Sequence, residues 1–264
     1  MKTPLRYQIT NYDCGPTSVL NALSFLFERE EIPPILIRNI MLYCLDCYDA
    51  CGEAGKSGTS RSAMMFLSHW MEGFGETGRL AISSQYVAGN KVYLGVGSEI
   101  NKALKAGGAV VVRLFLDEWH YILLTRIDAN NNVQAFDPYL SRKLFVGHPE
   151  VTLIEDKPYA YNRIIPMQSF NEEEESLYAL GPKGMREAVI IYNNKTKKRI
   201  SPFETLTLSL AARIGVGSLS GIAIGILNGG VGVIFWIWLS CLITLPNTFV
   251  ESTLAVIYKE KDGE

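Results

Sequence analysis

Apolar residues recur at helical spacing in the first part of the chain. Between Gly15 and Glu28 they form one stripe, and Pro16 suits the first turn of a helix; the stripe consists of Val19, Leu20, Leu23, Leu26 and Phe27. A second helical pattern runs from Ile35 to about Tyr48. A third follows Thr59 or Ser60, either of which can accept a hydrogen bond from the free N–H groups at a helix start.

The pattern changes in the middle of the chain to short runs rich in β-branched and aromatic residues. Turn residues separate these runs, which are Lys91–Leu94, Ala109–Phe115, Tyr121–Ile127, Val133–Phe136 and Val189–Tyr192. Helices followed by an antiparallel meander predict an α+β domain.

The last part of the chain is almost free of charge. Between residues 205 and 258 the charged residues are Arg213 and Glu251, and residues 214–250 contain none. This uncharged stretch is longer than the about 20 residues that one membrane span requires. A strong turn signal, Asn228–Gly232, lies in its middle and favours two membrane spans over one.

The predicted membrane hairpin therefore consists of two helices, at about Leu206–Leu227 and Val231–Val250. The alternative is that both segments are buried helices of a globular core, although core helices usually keep a polar face. The predicted domains are residues 1–195, a basic linker over residues 196–204, and the two-span segment over residues 205–264.

Charge and cysteine content narrow the function classes. With 25 Lys+Arg against 27 Asp+Glu, the net charge of −2 gives no indication of a nucleic-acid partner. Five cysteines in a long chain favour a reducing compartment over a secreted disulfide scaffold. The first residues show no apolar segment typical of a signal peptide, so we expect the N-terminal domain to face the cytoplasm from the cell membrane.

Cys14 begins the first predicted helix and is followed directly by Gly15-Pro16. A helix N-terminus provides free N–H groups and partial positive charge, and both favour a thiolate. His120 and Asp137 lie beside apolar runs further along the chain. Cysteine, histidine and aspartate in this order are typical of a thiol-based catalytic triad, with Cys14 as nucleophile, His120 as acid and base, and Asp137 as the group that orients the imidazole.

Gln8 precedes the cysteine by six residues, and its amide can donate a hydrogen bond to an oxyanion together with the Cys14 backbone N–H. Cys44, Cys47 and Cys51 are predicted to lie on one helix face. No fourth metal ligand is apparent beside them, so we expect packing or free thiols and no metal site. No cofactor motif is found, because the Gly55-Lys56-Ser57 loop has Ala50 where a phosphate-binding loop needs glycine.

The N-terminal motifs resemble those of the bacteriocin-processing cysteine peptidases, a bacterial family with a papain-like fold. The matching motifs are Gln8, Asp13-Cys14-Gly15-Pro16, His120-Tyr121 and Asp137-Pro138. The resemblance implies proteolysis by a membrane-associated hydrolase, a peptide substrate such as a leader peptide, the catalytic residues Cys14, His120 and Asp137, and Gln8 at the oxyanion. A papain-like acyltransferase uses the same thioester chemistry and stays open as an alternative.

The tail resembles an internal piece of the alanine or glycine:cation symporter family. The residues that carry this resemblance are Ala211–Gly221, Gly229–Gly232, Ile234–Trp238 and Phe249–Ala255. It implies membrane lipid as a partner of the tail, with oligomerisation in the membrane as a further option. The second alternative for the whole chain is therefore a truncated symporter-family membrane protein with an accessory N-terminal domain.

Overall fold

The computed structural model describes residues 1–140, 149–194 and 216–240. The chain divides into two units, Met1–Thr196 and Lys197–Glu264. The first unit combines helices with an antiparallel sheet, and the second has helical segments among its described residues. The papain-like assignment and the exact limits of the linker stay predictions.

Three helices precede the sheet: α1 (Cys14–Leu26), α2 (Pro34–Cys44) and α3 (Arg61–Glu76). The predicted start of α1 is confirmed to within one residue. The predicted cap of α3 is Ser60, whose side chain accepts a hydrogen bond from the Ala63 N–H at 3.1 Å. The prediction for α2 was wrong at its C-terminal end, because the helix stops at Cys44 instead of near Tyr48.

Seven strands form one antiparallel sheet in the spatial order β1-β7-β2-β3-β4-β6-β5. Strands β2, β3 and β4 form the predicted meander, and β7 inserts between β1 and β2. The strands are β1 (Ile82–Ala88), β2 (Ala109–Leu116), β3 (Glu118–Ile127), β4 (Asn132–Phe136), β5 (Thr152–Leu153), β6 (Arg163–Pro166) and β7 (Glu187–Asn193); two short helices are α4 (Glu99–Lys105) and α5 (Met167–Phe170).

The prediction of a strand at Lys91–Leu94 was wrong: a 3-10 turn ends at Lys91, and Val92 and Leu94 are buried without joining the sheet. The first strand, β1, lies earlier and carries serine at the buried position 84, where an alternating pattern would have an apolar residue. Its apolar signal is therefore weak, although it pairs with β7 along its whole length.

Alternate residues of the central strands support two separate cores. Val111, Leu123 and Val189 pack with α1, α2 and α3 on one side of the sheet. Val110, Ile122 and Ile190 pack with α4 on the other. This arrangement follows from the two-residue period of side chains along a strand. Because the sheet is packed on both faces, the backbone at its strand ends is held in place.

The second unit contains the helix α6 (Val216–Gly229) and a further helical stretch at 232–240. Gly230 between them has a φ of +65°, which glycine adopts without strain. Leu227 and Trp238 are 83% and 72% exposed in this unit. Within the described ranges, no helix combines the length and the apolar character needed to cross a membrane. The other parts of both predicted spans lie outside the described residues, so the hairpin stays a prediction.

Candidate functional site

The loop before α1 places Cys14 at the helix start. The Asp13 carboxylate accepts hydrogen bonds from the Ile9 N–H at 3.1 Å and the Thr10 N–H and hydroxyl at 2.9 Å. It therefore fastens the loop that precedes α1 and does not cap the helix itself. Cys14 is 6% exposed. The Ser18 hydroxyl, one turn further along, donates to the Tyr121 carbonyl at 2.9 Å and ties α1 to β3.

His120 in β3 and Asp137 directly after β4 meet across neighbouring strands. The distance from His120 Nε2 to Asp137 Oδ1 is 2.9 Å, and both residues are buried. The Cys14 side chain lies close enough to the same imidazole to interact with it by hydrogen bonding and by charge. Because Nε2 faces Asp137, Nδ1 is the ring nitrogen left for the thiol. The structure thus brings together the three residues that the sequence singled out.

Electrostatics favour an imidazolium at this position. Burial alone would disfavour a charged ring, but the charge and hydrogen bond of Asp137, together with Cys14, outweigh it and raise the pKa of His120 to about 10. The pKa of Asp137 is correspondingly lowered: burial opposes this shift, and the charge and hydrogen bond of His120 overcome it. A positively charged donor next to a cysteine stabilises a thiolate.

Asp137 is held from several sides. Its Oδ1 also accepts a hydrogen bond from the Tyr139 N–H at 2.8 Å, and its Oδ2 accepts one from the Tyr178 hydroxyl at 2.8 Å. Its backbone is clamped by the Asn162 side-chain amide, which accepts from the Asp137 N–H and donates to the Asp137 carbonyl, both at 2.8 Å. The carboxylate therefore has little freedom to turn away from His120.

Gln8 is connected to this group of residues by a backbone hydrogen bond. Its N–H donates to the Pro138 carbonyl at 2.9 Å, which joins the N-terminal segment to the loop that carries Asp137. Its side-chain Nε2 donates to the Thr10 carbonyl at 2.9 Å, and its Oε1 is buried without a hydrogen-bond partner. One Nε2 hydrogen is thus engaged and one remains for a ligand, so the oxyanion role of Gln8 stays a prediction.

Sequence reasoning missed Tyr178, Asn162 and the buried Glu187. Tyr178 lies in a loop with a φ of +64°, and a tyrosine in a loop gives no signal of its own. Asn162 directly precedes β6 and Glu187 is the first residue of β7, and only the sheet order brings them close to the candidate site. A glutamate that starts an apolar strand, Glu187–Asn193, was the one available hint.

The three clustered cysteines do not share a helix face, and that prediction was wrong. Because α2 ends at Cys44, Cys47 and Cys51 lie in the loop that follows. Cys44 is buried, Cys47 is half-buried and Cys51 is exposed. Burial, with a smaller effect of Asp46, raises the pKa of Cys47, so a smaller fraction of this cysteine is thiolate at neutral pH.

Sequence comparison connects the end of the chain to transporters. Residues 182–264 match the family model of the sodium:alanine symporter family. The "Probable sodium/glutamine symporter GlnT" of Bacillus subtilis is 52% identical over 69 residues, which is 26% of this chain and 14% of the relative. "Amino-acid carrier protein AlsT" of Bacillus subtilis is 43% identical over 67 residues, covering 25% of this chain and 14% of the relative.

A third relative, the "Sodium/proton-dependent alanine carrier protein" of Bacillus sp. strain PS3, is 40% identical over 65 residues, covering 25% of this chain and 15% of the relative. The chain therefore spans about one seventh of the length of these relatives. The resemblance of the tail to a symporter-family fragment is confirmed. The start of the matched range includes β7, which lies inside the N-terminal sheet.

The prediction of a cysteine peptidase was wrong, together with its hydrolase and proteolysis roles. The family match and the relatives point to a transporter family instead. The physical reason for the error is that a cysteine, a histidine and an aspartate in one site identify a chemical grouping and not a substrate. The same grouping on one fold serves several activities, so it does not by itself assign one.

Proposed function

We propose that this chain is a membrane-associated protein whose tail is an internal membrane segment of the sodium:alanine symporter type, with the N-terminal unit as an accessory domain. The observation that carries the proposal is the match of residues 182–264 to that family. Relatives that match the tail are named as symporters or carriers of glutamine, alanine or amino acids.

The described part of the tail supports membrane association. Residues 216–240 contain no charged side chain. Ile224, Leu227, Val231 and Trp236 are all exposed, which leaves apolar surface for a lipid or protein environment. Burying this surface in a bilayer stabilises the segment because water no longer contacts it.

Membrane extraction tests this proposal. We expect the full chain to remain in the pellet when membranes are washed at alkaline pH, and a chain ended at Asn194 to be released. The double substitution Ile224→Asp and Leu227→Asp tests the same point in a chain of full length. Both side chains are exposed in the unit, so their replacement disturbs no core. It should shift the protein to the supernatant. A full chain that washes off as readily as the shortened chain would refute the proposal.

The orientation follows from the positive charges that flank the tail. Residues 195–199 carry four basic side chains before the first predicted span, and Lys259 and Lys261 follow the second. Because positive charge stays on the cytoplasmic side, both ends are placed there, and the N-terminal unit faces the cytoplasm. Protease added to inverted vesicles should digest that unit, and protease added to right-side-out vesicles should spare it; the reverse pattern excludes this orientation.

A second candidate function concerns the N-terminal unit and rests on the grouping of Cys14, His120 and Asp137. We propose that Cys14 is a nucleophilic thiol that takes up an acyl group, with His120 as its proton acceptor and donor and Asp137 as the positioning residue. This is the acyl-transfer alternative of the sequence analysis. Its support is the buried 2.9 Å contact between His120 and Asp137 beside the thiol.

Thiol labelling tests the second candidate. In a chain with Cys47→Ser and Cys51→Ser, iodoacetamide at pH 7 should label Cys14, and mass spectrometry locates the label. His120→Gln should slow the labelling about tenfold or more, because it removes the cation that stabilises the thiolate. His69→Gln, on the exposed face of α3, is the matched control and should leave the rate unchanged. Label on Cys44 or Cys241 with none on Cys14 would contradict the assignment.

A further inference from the structure

A cleft of about 620 Å³ lies against Cys14. Its wall includes Arg61 at the start of α3 and Arg113 in β2, together with Trp119 and Thr59. Such a volume is large enough for a small acyl group and its carrier. Two guanidinium groups thus line the same cleft as the Cys14 thiol, and the residues behind them explain how they are held.

Glu187 is the anchor behind this wall. Its side chain is 1% exposed, and its two carboxylate oxygens accept hydrogen bonds at 2.7 Å from Tyr121 and Tyr86. Burial, with the nearby Glu187, raises the pKa of Tyr86 to about 12, so this phenol stays protonated as the donor. The carboxylate oxygens lie 3.9 Å from Arg61 Nε and 4.0 Å from Arg113 Nε. One carboxylate thus faces two guanidinium groups, so these three side chains together carry one net positive charge.

Arg113 is fixed in a definite orientation. Its Nε faces Glu187, and its guanidinium carbon lies 4.5 Å from the centre of the Trp119 ring. The described contacts therefore use Nε and the face of the guanidinium, which leaves Nη1 and Nη2 for a ligand. The side chain is 17% exposed, so an ion pair formed there is less screened by water than a surface pair.

Thr59 forms part of the cleft wall. Its buried Oγ1 packs against Gly15 of α1, so this side chain joins the wall to α1. Two other charged residues line the cleft, Lys56, which pairs with Glu53, and the exposed Glu118. Both contribute less because solvent screens them.

We infer that the cleft binds a carboxylate carried by the acyl group that Cys14 accepts, with Arg113 as its forked partner and Arg61 as the second cation. Arginine suits this role because its planar guanidinium matches a carboxylate with two parallel hydrogen bonds. The inference rests on the second proposed function and specifies its substrate class: acyl donors with a free carboxylate at the end distant from the reacting carbonyl.

The reaction tested is acylation of the thiol. The acyl donor is a 4-nitrophenyl ester. The Cys14 sulfur attacks its carbonyl carbon, the bond from that carbon to the phenolic oxygen breaks, and 4-nitrophenolate departs with the electron pair. The proton given up by the thiol is held on His120, as the imidazolium that Asp137 stabilises. No oxidant or further reactant is needed. One nitrophenolate appears for each thiol acylated once the release measured with a Cys14→Ser chain is subtracted, because the carboxylate of a glutarate ester can also displace nitrophenolate within the ester itself.

Two esters separate charge from size. The 4-nitrophenyl monoester of glutaric acid carries a terminal carboxylate, and 4-nitrophenyl pentanoate has a methyl group in its place. We expect the full chain to be acylated about tenfold faster by the glutarate ester, after each rate is divided by the rate with free cysteine. Hydrogen bonds between charged groups stabilise a bound ligand by enough to give a rate ratio of about ten. Raising the salt concentration should reduce the preference.

Variants assign the preference to the cleft. Arg113→Gln should lower the ratio of the two rates to near that of free cysteine, and Arg113→Lys should restore part of it, because charge returns without the fork. Lys105→Gln in α4 is the control and should leave both rates unchanged. Should Arg113→Gln fail to fold, Arg61→Gln replaces it, since the Arg61 side chain is 39% exposed.

The outcomes are distinct. No Cys14-dependent burst with either ester would refute the second proposed function. A burst with both esters but no preference for the glutarate ester, or a preference that persists in both arginine variants, would overturn the carboxylate inference while leaving Cys14 as an acylated thiol.

Discussion

Tyr178 determines how Asp137 is presented to His120. The tyrosine is fully buried and donates a 2.8 Å hydrogen bond to Oδ2, while His120 and the Tyr139 N–H use Oδ1. A carboxylate held at both oxygens keeps one orientation, and the imidazole it contacts is fixed in turn. Tyr178 is thus a positioning residue, because it acts on the thiol through Asp137 and His120.

Tyr178→Phe should destabilise the protein by about 1–2 kcal/mol, because a buried hydrogen bond to a charged group is lost while the ring volume is kept. The labelling rate of Cys14 by iodoacetamide at pH 7 should also fall several-fold. The two readouts are the urea midpoint of a chain ended at Asn194 and the labelling rate in the full chain. Tyr161→Phe is the comparison variant; if it slows labelling to the same degree, the effect is not specific to the Asp137 contact.

The His120–Asp137 pair predicts a pH dependence of stability. An unfolded histidine has a pKa of about 6.5, and the pKa of folded His120 is raised to about 10. The stabilisation from the imidazolium is therefore complete below about pH 6.5 and is lost as the pH rises towards 10. Asp137, whose pKa is lowered, contributes above its unfolded value and loses its contribution only at acid pH.

The free energy of unfolding of a chain ended at Asn194 should thus fall between pH 6.5 and pH 10. The matched variant is His120→Gln, which lacks the titrating group, and the advantage of the wild-type chain over it should shrink across this interval. Denaturant titrations at several pH values give both curves. Parallel curves for the two chains would show that His120 does not titrate as stated.

At the scale of elements, the start of α3 connects helix capping to the cleft. Ser60 caps the helix, Thr59 before it lines the cleft, and Arg61 after it approaches Glu187. Thr59 also packs closely on α1: a Cβ built on Gly15 would lie 2.8 Å from the Thr59 Cβ. The glycine after Cys14 is needed for this approach, and any larger residue would push the two elements apart.

Ser60→Ala should cost about 0.5–2 kcal/mol of stability, because the Ala63 N–H loses its acceptor. Ser60→Thr keeps a hydroxyl and should cost less. The measurement is the denaturant midpoint of a chain ended at Asn194. Equal losses for alanine and threonine would mean that packing of the side chain, and not the cap, is responsible.

Elements with a strong local signal could be predicted from the sequence, and those fixed by tertiary contacts could not. A strong local signal is present in the apolar stripe of α1, the capping residue of α3 and the β-branched runs of β2, β3 and β4. The local pattern does not indicate β1, because Ser84 occupies a buried position of the strand, and it extends α2 too far because Leu45 and Tyr48 continue the apolar pattern beyond Cys44. The position of β7 between β1 and β2 depends on pairing between distant residues.

The site shows the same division. Residue type, order and neighbouring apolar runs indicate Cys14, His120 and Asp137, and the structure places His120 Nε2 2.9 Å from Asp137 Oδ1. Glu187, Arg113 and Tyr178 come from a strand start, a strand interior and a loop, so no local pattern joins them. Their relation appears only when β7 lies beside β2 and the loop before it reaches Asp137.

At the scale of the whole molecule, the two units differ in where their apolar side chains lie. The N-terminal unit buries its apolar side chains in two cores on opposite faces of one sheet. In the described part of the second unit, large apolar side chains are exposed and charged ones are missing. The sequence match joins the second unit to transporters but covers about one seventh of their length. The similarity is therefore to a segment of a transporter and not to a whole one.

We expect that these 264 residues alone do not transport alanine. Symporters bind substrate and sodium between repeats whose broken helices face each other at the membrane midplane, and a single predicted hairpin provides one side of such a site. Arg213 adds a cost of about 2.5–3.5 kcal/mol if it lies near a helix centre without partners. Liposomes that contain the purified chain should take up labelled alanine at the rate of empty liposomes, with or without a sodium gradient. Liposomes with a full-length alanine carrier are the positive control, and saturable sodium-driven uptake by this chain would establish it as a transporter in its own right.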